Sequence, residues 1–269
     1  MNDKNAQFAG SIPAAYDRYL GPIFFPGYGE DLADRLKVAA NSSVLELACG
    51  TGIVTRILRD RLPASVRLTA TDLNEPMIEH AKTKFSASDA IEWKQADATS
   101  LPFDDRSFDA VVCQFGFMFF PDKSVAAREA HRVLKPGGVF LFNVWDSFEQ
   151  NPLGKIAHET IARFFEKDPP AFYQVPFGYH DQAEIRRVLE LAGFTNVRID
   201  VVSIPSASTR VEDAATGLVE GSPIAVAIAE REASLFPVIK NAVAQALEKH
   251  FGAATFRTPM RALVVQAGR

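Results

Sequence analysis

Two glycines and two acids form the strongest chemical pattern in this sequence. Gly50 and Gly52 follow an apolar run, and glycines at such a position let the backbone turn sharply and approach a ligand closely. Asp72 lies twenty positions after Gly52, where a carboxylate can accept hydrogen bonds from both hydroxyls of a ribose. Glu46 precedes the glycines, and its negative charge suits a positively charged ligand better than a pyrophosphate. Together these residues predict a site for a nucleoside-containing cofactor.

The main alternative for this loop is a dinucleotide site of the kind found in NAD-dependent oxidoreductases. Such loops carry a third glycine that lets the following helix pack closely, whereas Thr55 stands at that position here. The charge of Glu46 would also oppose the phosphates of a dinucleotide. A simpler interpretation is that the glycines only close a tight turn and that Glu46 only holds a loop.

Short apolar runs alternate with helical patterns from residue 43 onward, and these elements must position the glycines and the acids. We expect strands at 43–48, 66–71, 91–96, 108–114 and 139–145, and helices at 53–61, 75–85 and 124–134. Strands separated by helices imply right-handed crossovers and a parallel sheet with helices on both faces. Ligands of such doubly wound α/β sheets bind at the carboxyl ends of the strands. The site is therefore expected where the first strand ends.

The second half of the chain has longer gaps between its elements. Helical patterns lie at 151–165, 181–192, 211–220 and 232–251, and strand patterns lie at 196–204 and 261–266. About fifty residues separate the last two strands, far more than a hairpin needs, so something is inserted there. We expect a single domain over 1–269, with cofactor-covering helices at 1–40 and the cofactor-binding core at 41–146. The rest of the sheet is expected at 147–269, with substrate-lid insertions at about 147–180 and 206–256.

Composition narrows the class of protein. The chain has 29 Lys and Arg against 33 Asp and Glu, a net charge of −4, which argues against a broad surface for nucleic acid. Its two cysteines, Cys49 and Cys113, lie in apolar strand-like segments, so we expect no disulfide framework and a reducing cytoplasm. We find no secretory signal at the N-terminus and no apolar run that approaches the roughly 18 residues of a spanning helix. No metal site is expected, and a homodimer is left open.

Several motifs between residues 44 and 145 follow one another in a familiar order. They are VLELACGTG at 44–52, Asp72-Leu73-Asn74 with Met77, QADA at 95–98, LPF at 101–103, SFD at 107–109 and RVLKPGG at 132–138. This order resembles class I S-adenosylmethionine (SAM)-dependent methyltransferases. The run QFGFMFFPD at 114–122 is similar to the small-molecule branch that includes ubiquinone and menaquinone C-methyltransferases. The resemblance implies a Rossmann-like, mostly parallel seven-stranded sheet with helical lid insertions, and SAM as the cofactor.

The resemblance also implies which residues bind SAM. The backbone from Ala48 to Gly52 would wrap the methionine part, and Glu46 would orient this loop or the ammonium group. Asp72 would bind the ribose hydroxyls, and Gln114 would lie beneath the methionine part. The full set expected at the cofactor is Glu46, Ala48, Cys49, Gly50, Gly52, Asp72, Leu73, Asp97, Ala98, Gln114, Tyr16 and Arg18.

The remaining members of this set would bind the adenine or cover the cofactor. Leu73 would pack against the adenine, while Asp97 and Ala98 would bind its edge. Tyr16 and Arg18 belong to a segment that resembles the part of such enzymes that folds over the cofactor, although a surface helix would explain them as well. The resemblance covers little beyond residue 145, so it says more about the cofactor than about the acceptor.

The acceptor is inferred from 21 phenylalanines, whose number leaves room for an aromatic cavity. Those expected near the site are Phe24, Phe25, Phe115, Phe117, Phe119, Phe120, Phe172 and Phe177. The N-P-P-Y pattern of many amino-group methyltransferases is absent after the fourth predicted strand. We therefore expect a small, apolar or aromatic acceptor that is methylated on carbon or oxygen. None of the five histidines has a motif that would make it a catalytic base, and a SAM-binding regulator without turnover remains the non-enzyme alternative.

Overall fold

A computed structural model describes residues 7–208, 210–252 and 255–269 of the protein. Its seven strands are β1 Ser43–Glu46, β2 Arg67–Asp72, β3 Ile91–Gln95, β4 Phe108–Gln114, β5 Leu134–Trp145, β6 Thr195–Ser208 and β7 Phe256–Gly268. They form one sheet in the order β3-β2-β1-β4-β5-β7-β6. The neighbours from β3 to β5 are parallel, and β7 runs antiparallel to both β5 and β6. The predicted mostly parallel, doubly wound α/β sheet is confirmed.

Helices cover both faces of the sheet. They are α1 Ile12–Ala15, a π-helical turn Tyr16–Leu20, α2 Gly21–Phe24, α3 Pro26–Arg35, α4 Ile53–Arg61, α5 Glu75–Lys82, α6 Lys123–Val133, α7 Pro152–Ala162, α8 Gln182–Leu191, α9 Val211–Glu220, α10 Ile224–Glu232 and α11 Phe236–Phe251. Throughout the described ranges, no helix has both the length and the apolar character that crossing a bilayer requires.

The central strands are apolar because both of their faces are covered. Every residue of β1 is buried, and successive side chains point to opposite faces of the sheet. Val44 packs with Leu32 of α3 and Leu58 of α4 in the core on one face. Leu45 belongs to the larger core on the other face. Near-continuous apolar strands of this kind are typical of parallel sheets.

The first strand is shorter than the sequence predicted. It was expected over 43–48, but it ends at Glu46 because Ala48 has φ 53° and Gly50 has φ 55°, which are incompatible with extended backbone. Cys49 therefore lies in the loop rather than in a strand, while Cys113 lies in β4 as expected. Both thiols are free and buried.

The region between β6 and β7 contains one more helix than expected. A helix was predicted over 232–251, where the chain forms a short 3₁₀ turn at Ala233–Leu235 and then α11, whereas α10 precedes this range and was not predicted. Pro237 lies in the first turn of α11, where its missing N–H would interrupt a continuous helix. Three helices thus separate the last two strands, as the long gap indicated, while the assignment of particular segments as lids stays a prediction.

Candidate functional site

A large cavity opens at the carboxyl ends of β1, β2 and β4. The cavity has a volume of about 230 Å³, and its mouth opens to solvent. Its location agrees with the general rule for doubly wound sheets.

The loop after β1 approaches the loop after β4 very closely. A Cβ added to Gly116 would lie 2.5 Å from the Cβ of Ala48 and 2.8 Å from the Sγ of Cys113. Gly50 and Gly52 have φ of 55° and 80°, values that glycine adopts without strain. These glycines therefore let the two loops form one continuous wall, and α4 begins directly after Gly52.

Asp72 braces this wall from the end of β2. Its Oδ2 accepts a hydrogen bond from the backbone N–H of Gly50 at 2.9 Å, and its Oδ1 accepts one from the N–H of Asn74 at 2.8 Å. Burial raises the pKa of Asp72, and these hydrogen bonds oppose the rise. Asp72 lines the cavity, so it both holds the glycine loop and presents a carboxylate to a ligand. The sequence indicated only the second of these roles.

Two buried acceptor oxygens near the loop lack donors within the described chain. Glu46 is 1% exposed and lies just behind the wall, where its Oε2 has no hydrogen-bond partner. Burial raises the pKa of Glu46 to about 8, with the nearby Asp72 adding to the rise and the Thr55 hydroxyl opposing it. Gln114 donates from Nε2 to the carbonyl oxygen of Phe25 at 2.9 Å, but its Oε1 is also unpartnered. Unpaired acceptors of this kind suit a cationic ligand that carries N–H groups.

A shallow apolar surface lies beside the β2 and β3 ends of the cavity. Leu73 is 44% exposed, which is high for a large apolar residue, and it lines the cavity together with Asp97 and Ala98. The Oδ1 of Asp97 accepts hydrogen bonds from the N–H and the hydroxyl of Thr99 at 2.8 and 2.7 Å. A flat ring placed on Leu73 would cover its exposed surface and bring polar ring atoms near Asp97.

The segment before α2 is fastened over the glycine loop. Asp17 accepts a hydrogen bond from the hydroxyl of Thr51 at 2.7 Å and pairs with Lys84 at 2.5 Å. Phe8 donates from its backbone N–H to the Oδ1 of Asn74 at 3.1 Å. The sequence analysis did not include Asp17 in the predicted site. The only indication in the sequence was that this acid lies between the two tyrosines of the run YDRY at 16–19.

The structure brings most of the predicted cofactor residues together. The ones that line the cavity are Tyr16, Ala48, Gly50, Asp72, Leu73, Asp97, Ala98 and Gln114. Glu46, Cys49 and Gly52 shape or support the glycine loop without lining the cavity. Arg18 is exposed and its guanidinium lies over the ring of Tyr19 at 5.1 Å, so it does not reach the wall. We call the wall formed by these lining residues together with Leu47, Asn74, Met77 and Ala96 the cofactor half.

Most of the remaining wall is aromatic. Its members, which we call the acceptor half, are Phe24, Phe25, Phe115, Met118, Phe119, Phe120, Pro121, Trp145, Phe172, Tyr173, Pro176, Phe177, Leu218 and Ser222. The rings of Phe115 and Trp145 stack at 3.7 Å, and those of Phe119 and Phe172 stack at 6.0 Å. Among the phenylalanines expected near the site, Phe117 is the exception, because it is fully buried and packs against Phe142 at 4.6 Å.

Few titratable side chains face the cavity. Among the described residues that line it, the ionisable ones are Asp72, Asp97, Tyr16 and Tyr173. Burial raises the pKa of both tyrosines far above neutral, so each keeps its proton and acts as a donor rather than as a base. His158 lies behind the wall, stacked on Phe148 at 5.2 Å.

Comparison with known proteins identifies the chemistry of this site. Residues 45–142 match the model of the methyltransferase domain family. Demethylmenaquinone methyltransferase from Staphylococcus aureus is 31% identical over 206 residues, which cover 70% of this chain and 84% of the relative.

Two solved structures show the same fold at low sequence identity. The YcgJ protein from Bacillus subtilis is 20% identical, covers 90% of this chain and 98% of its own, and superimposes with a TM-score of 0.59. Haemonchus contortus phosphoethanolamine N-methyltransferase 2, solved in complex with SAM, is 14% identical, covers 96% of this chain and 56% of its own, and has a TM-score of 0.60. The chain belongs to the class I SAM-dependent methyltransferases, it uses SAM as its methyl donor, and among them it resembles the enzymes of quinone biosynthesis.

Proposed function

We propose that the protein transfers the methyl group of SAM to a small, apolar or aromatic acceptor, at a carbon or an oxygen atom. The observation that carries this proposal is the acceptor half, whose wall is built mainly from aromatic rings. Aromatic rings stack on other rings at centroid distances of about 4.5–7 Å, so a planar acceptor can stack against this wall. The similarity to a demethylmenaquinone methyltransferase supports a ring carbon as the methylated atom.

The cofactor half fits SAM on chemical grounds. When bound, SAM supplies a methyl group on a positively charged sulfur, which is a good leaving group. The unpartnered Oε1 of Gln114, which lines the cavity, suits the N–H groups of this ligand, and we propose that Glu46 behind the wall orients the glycine loop. We propose that Asp72 binds the ribose hydroxyls and that Leu73 packs against the adenine.

Further residues complete the proposed cofactor site. Asp97 and Ala98 would bind the adenine edge, and the backbone from Ala48 through Cys49 and Gly50 to Gly52 would surround the methionine part. Tyr16, whose ring stacks on Phe25 at 5.2 Å, would cover the cofactor. Arg18 would contribute only by supporting this cover, since its side chain is exposed.

The acceptor half acts by orientation and by exclusion of water. Holding a nucleophile in line with a reacting group accounts for a large part of many rate enhancements, and a rigid aromatic wall serves that purpose. No described residue on this wall is a histidine, lysine or glutamate, and Tyr16 and Tyr173 stay protonated. The acceptor therefore has to be nucleophilic as it binds, or to lose its proton to water.

Charge and thiol chemistry bear on the partners and the location of the protein. The net charge of −4 supports a small-molecule acceptor rather than a nucleic acid, and a homodimer stays open. The free thiols of Cys49 and Cys113 support our proposal that the protein works in a reducing cytoplasm.

Calorimetric titration with S-adenosylhomocysteine (SAH) tests the cofactor half, with NAD as the parallel control. We expect micromolar binding of SAH and no binding of NAD. Binding of NAD alone would contradict the assignment of the cofactor half.

Mass spectrometry with methyl-deuterated SAM tests the acceptor half. A panel of hydroxyarenes and hydroquinones, with aliphatic amines and oligonucleotides as controls, should give a labelled product only from the aromatic members. Labelling of an amine or an oligonucleotide alone would overturn the proposed acceptor class.

A further inference from the structure

A small polar residue interrupts the aromatic wall of the acceptor half. Ser222 lies between α9 and α10, in the segment that separates β6 from β7, and its side chain lines the cavity. This segment lies outside residues 45–142, which match the family model. Residue 222 is therefore part of the acceptor pocket of this chain and lies outside the cofactor core that the family shares.

The hydroxyl of Ser222 is buried without a partner. The residue is 3% exposed, and no described residue makes a hydrogen bond of suitable geometry with its Oγ. Buried polar groups in native proteins are nearly always hydrogen-bonded, so an exception on the wall of a ligand cavity indicates a role in binding.

The neighbouring polar group is already engaged. The hydroxyl of Tyr173 donates to the carbonyl oxygen of Leu218 at 2.5 Å, so it cannot donate a second hydrogen bond to Ser222 or to a ligand. Burial raises the pKa of Tyr173, and an interaction with the Ser222 hydroxyl opposes that rise, although the geometry of this contact does not reach that of a hydrogen bond. The two hydroxyls thus make one polar spot, in which the Ser222 proton is the one not committed to a hydrogen bond of normal geometry.

We propose that the hydroxyl of Ser222 donates a hydrogen bond to a single oxygen of the acceptor and so selects oxygen-bearing aromatic rings over plain hydrocarbons. This assignment rests on the proposed function, because it takes the aromatic half of the cavity as the acceptor site. The rings of Phe119 and Phe172 would hold the apolar part of the acceptor, and Ser222 would set its orientation. A phenol, a hydroquinone or a quinone carbonyl has the required oxygen.

A matched pair of ligands tests this proposal on the SAH-saturated protein. 1-Naphthol carries the oxygen, and 1-methylnaphthalene replaces it with a methyl group of similar size. We expect the wild-type protein to bind 1-naphthol more tightly in calorimetric titrations. The Ser222→Ala variant should reduce this preference by about two- to tenfold, as expected for the loss of one hydrogen bond.

Ser208→Ala is the matched control. Ser208 is also buried, at 8% exposure, but its Oγ donates to the carbonyl oxygen of Arg210 at 2.8 Å and does not line the cavity. The Ser208→Ala variant should prefer 1-naphthol over 1-methylnaphthalene as strongly as the wild-type protein does. Ser222→Ala should retain both SAH affinity and melting temperature, because the Ser222 hydroxyl makes no hydrogen bond of normal geometry with the described residues.

The outcomes separate the two proposals. If both rings bind and Ser222→Ala leaves their affinity ratio unchanged, the role of Ser222 is wrong while the aromatic acceptor class stands. If neither ring binds to wild-type protein that binds SAH, the aromatic acceptor class is wrong and the role of Ser222 is overturned with it.

Discussion

The cofactor half takes all of its wall except Tyr16 from residues 47–114, whereas the acceptor half combines side chains from five separate parts of the chain. Backbone turns and fixed carboxylates dominate the first, as in the hydrogen bonds from Gly50 and Asn74 to Asp72. Stacked rings dominate the second, as in Phe115 on Trp145. The cofactor half is thus formed by hydrogen bonds within one stretch of the chain, and the acceptor half is formed by the packing of side chains that are far apart in the sequence.

This difference indicates how the two halves can change independently. Hydrogen bonds to a carboxylate need fixed geometry, so the glycine loop tolerates little variation in sequence. An apolar wall needs mainly a suitable volume and shape, so its residues can be exchanged to accept another ring. Substitutions in the cofactor half should therefore change SAH affinity, and substitutions in the acceptor half should change acceptor affinity alone.

The largest expected effect comes from Glu46, the unpaired acid behind the cofactor half. Its pKa is raised to about 8, so between pH 4.5 and 8 the folded state keeps a proton that the unfolded state has lost. The contribution of Glu46 to stability is therefore present at low pH and lost as pH rises, by up to about 1.4 kcal/mol per pH unit. The Glu46→Gln variant should not lose this stability as pH rises, because glutamine has no proton to titrate in this range.

Chemical denaturation of wild type and Glu46→Gln at pH 5, 6.5 and 8 measures this effect, as the difference between their free energies of unfolding. His131 and His158 have pKa values lowered by burial, which gives stability the opposite slope below neutral pH, but both proteins share that contribution. A constant difference in unfolding free energy across the pH range would show that Glu46 is ionised in the folded protein.

The next effect concerns Asp72. Asp72→Ala removes a buried acceptor of charge-assisted hydrogen bonds, each of which contributes about 1.5–3 kcal/mol, so SAH should bind roughly ten- to hundredfold more weakly. Asp109→Ala is the control, because Asp109 accepts from Ser43 and Lys135 near the start of β4 and does not line the cavity. Equal SAH affinity in wild type and Asp72→Ala would exclude Asp72 from the cofactor site.

An intermediate effect is expected from the acceptor half. Phe172→Leu removes a ring that stacks on Phe119, and because aromatic pairs contribute about 0.5–1.5 kcal/mol, 1-naphthol should bind two- to tenfold more weakly. The affinity for SAH should not change. Phe194→Leu, in the core against Phe140, controls for lost packing, and an equal loss in both variants would mean that the effect does not arise at the wall.

The smallest effect should come from Asp17, which fastens the N-terminal segment to the glycine loop. Partly exposed ion pairs contribute about 0.2–1 kcal/mol, so Asp17→Asn should speed SAH dissociation by up to about fivefold, and less at high salt. Glu79→Gln breaks the exposed pair with Lys82 on α5 and should leave the rate unchanged. Identical stopped-flow rates for wild type and Asp17→Asn would show that the segment does not cover the bound cofactor.

The sequence alone predicted the structure correctly where the contacts that determine it join residues close together in the chain. The bounds of α4, β4 and α9 follow from apolar periodicity and from the glycine loop, and the structure has the same bounds. The family motifs between 44 and 145 likewise predicted most of the residues that line the cofactor half, because a loop and the strand before it are adjacent in the chain.

Only the tertiary structure decided which side chains meet across long separations. The hydrogen bond from Thr51 to Asp17, the burial of Phe117 away from the cavity and the arrival of Ser222 on its wall each depend on elements far apart in sequence. Periodicity distinguishes a buried face from an exposed one, but it does not specify which other segment covers that face. The cofactor could therefore be inferred from the sequence, while the polar spot in the acceptor half became visible only when the segment between α9 and α10 was placed at the cavity.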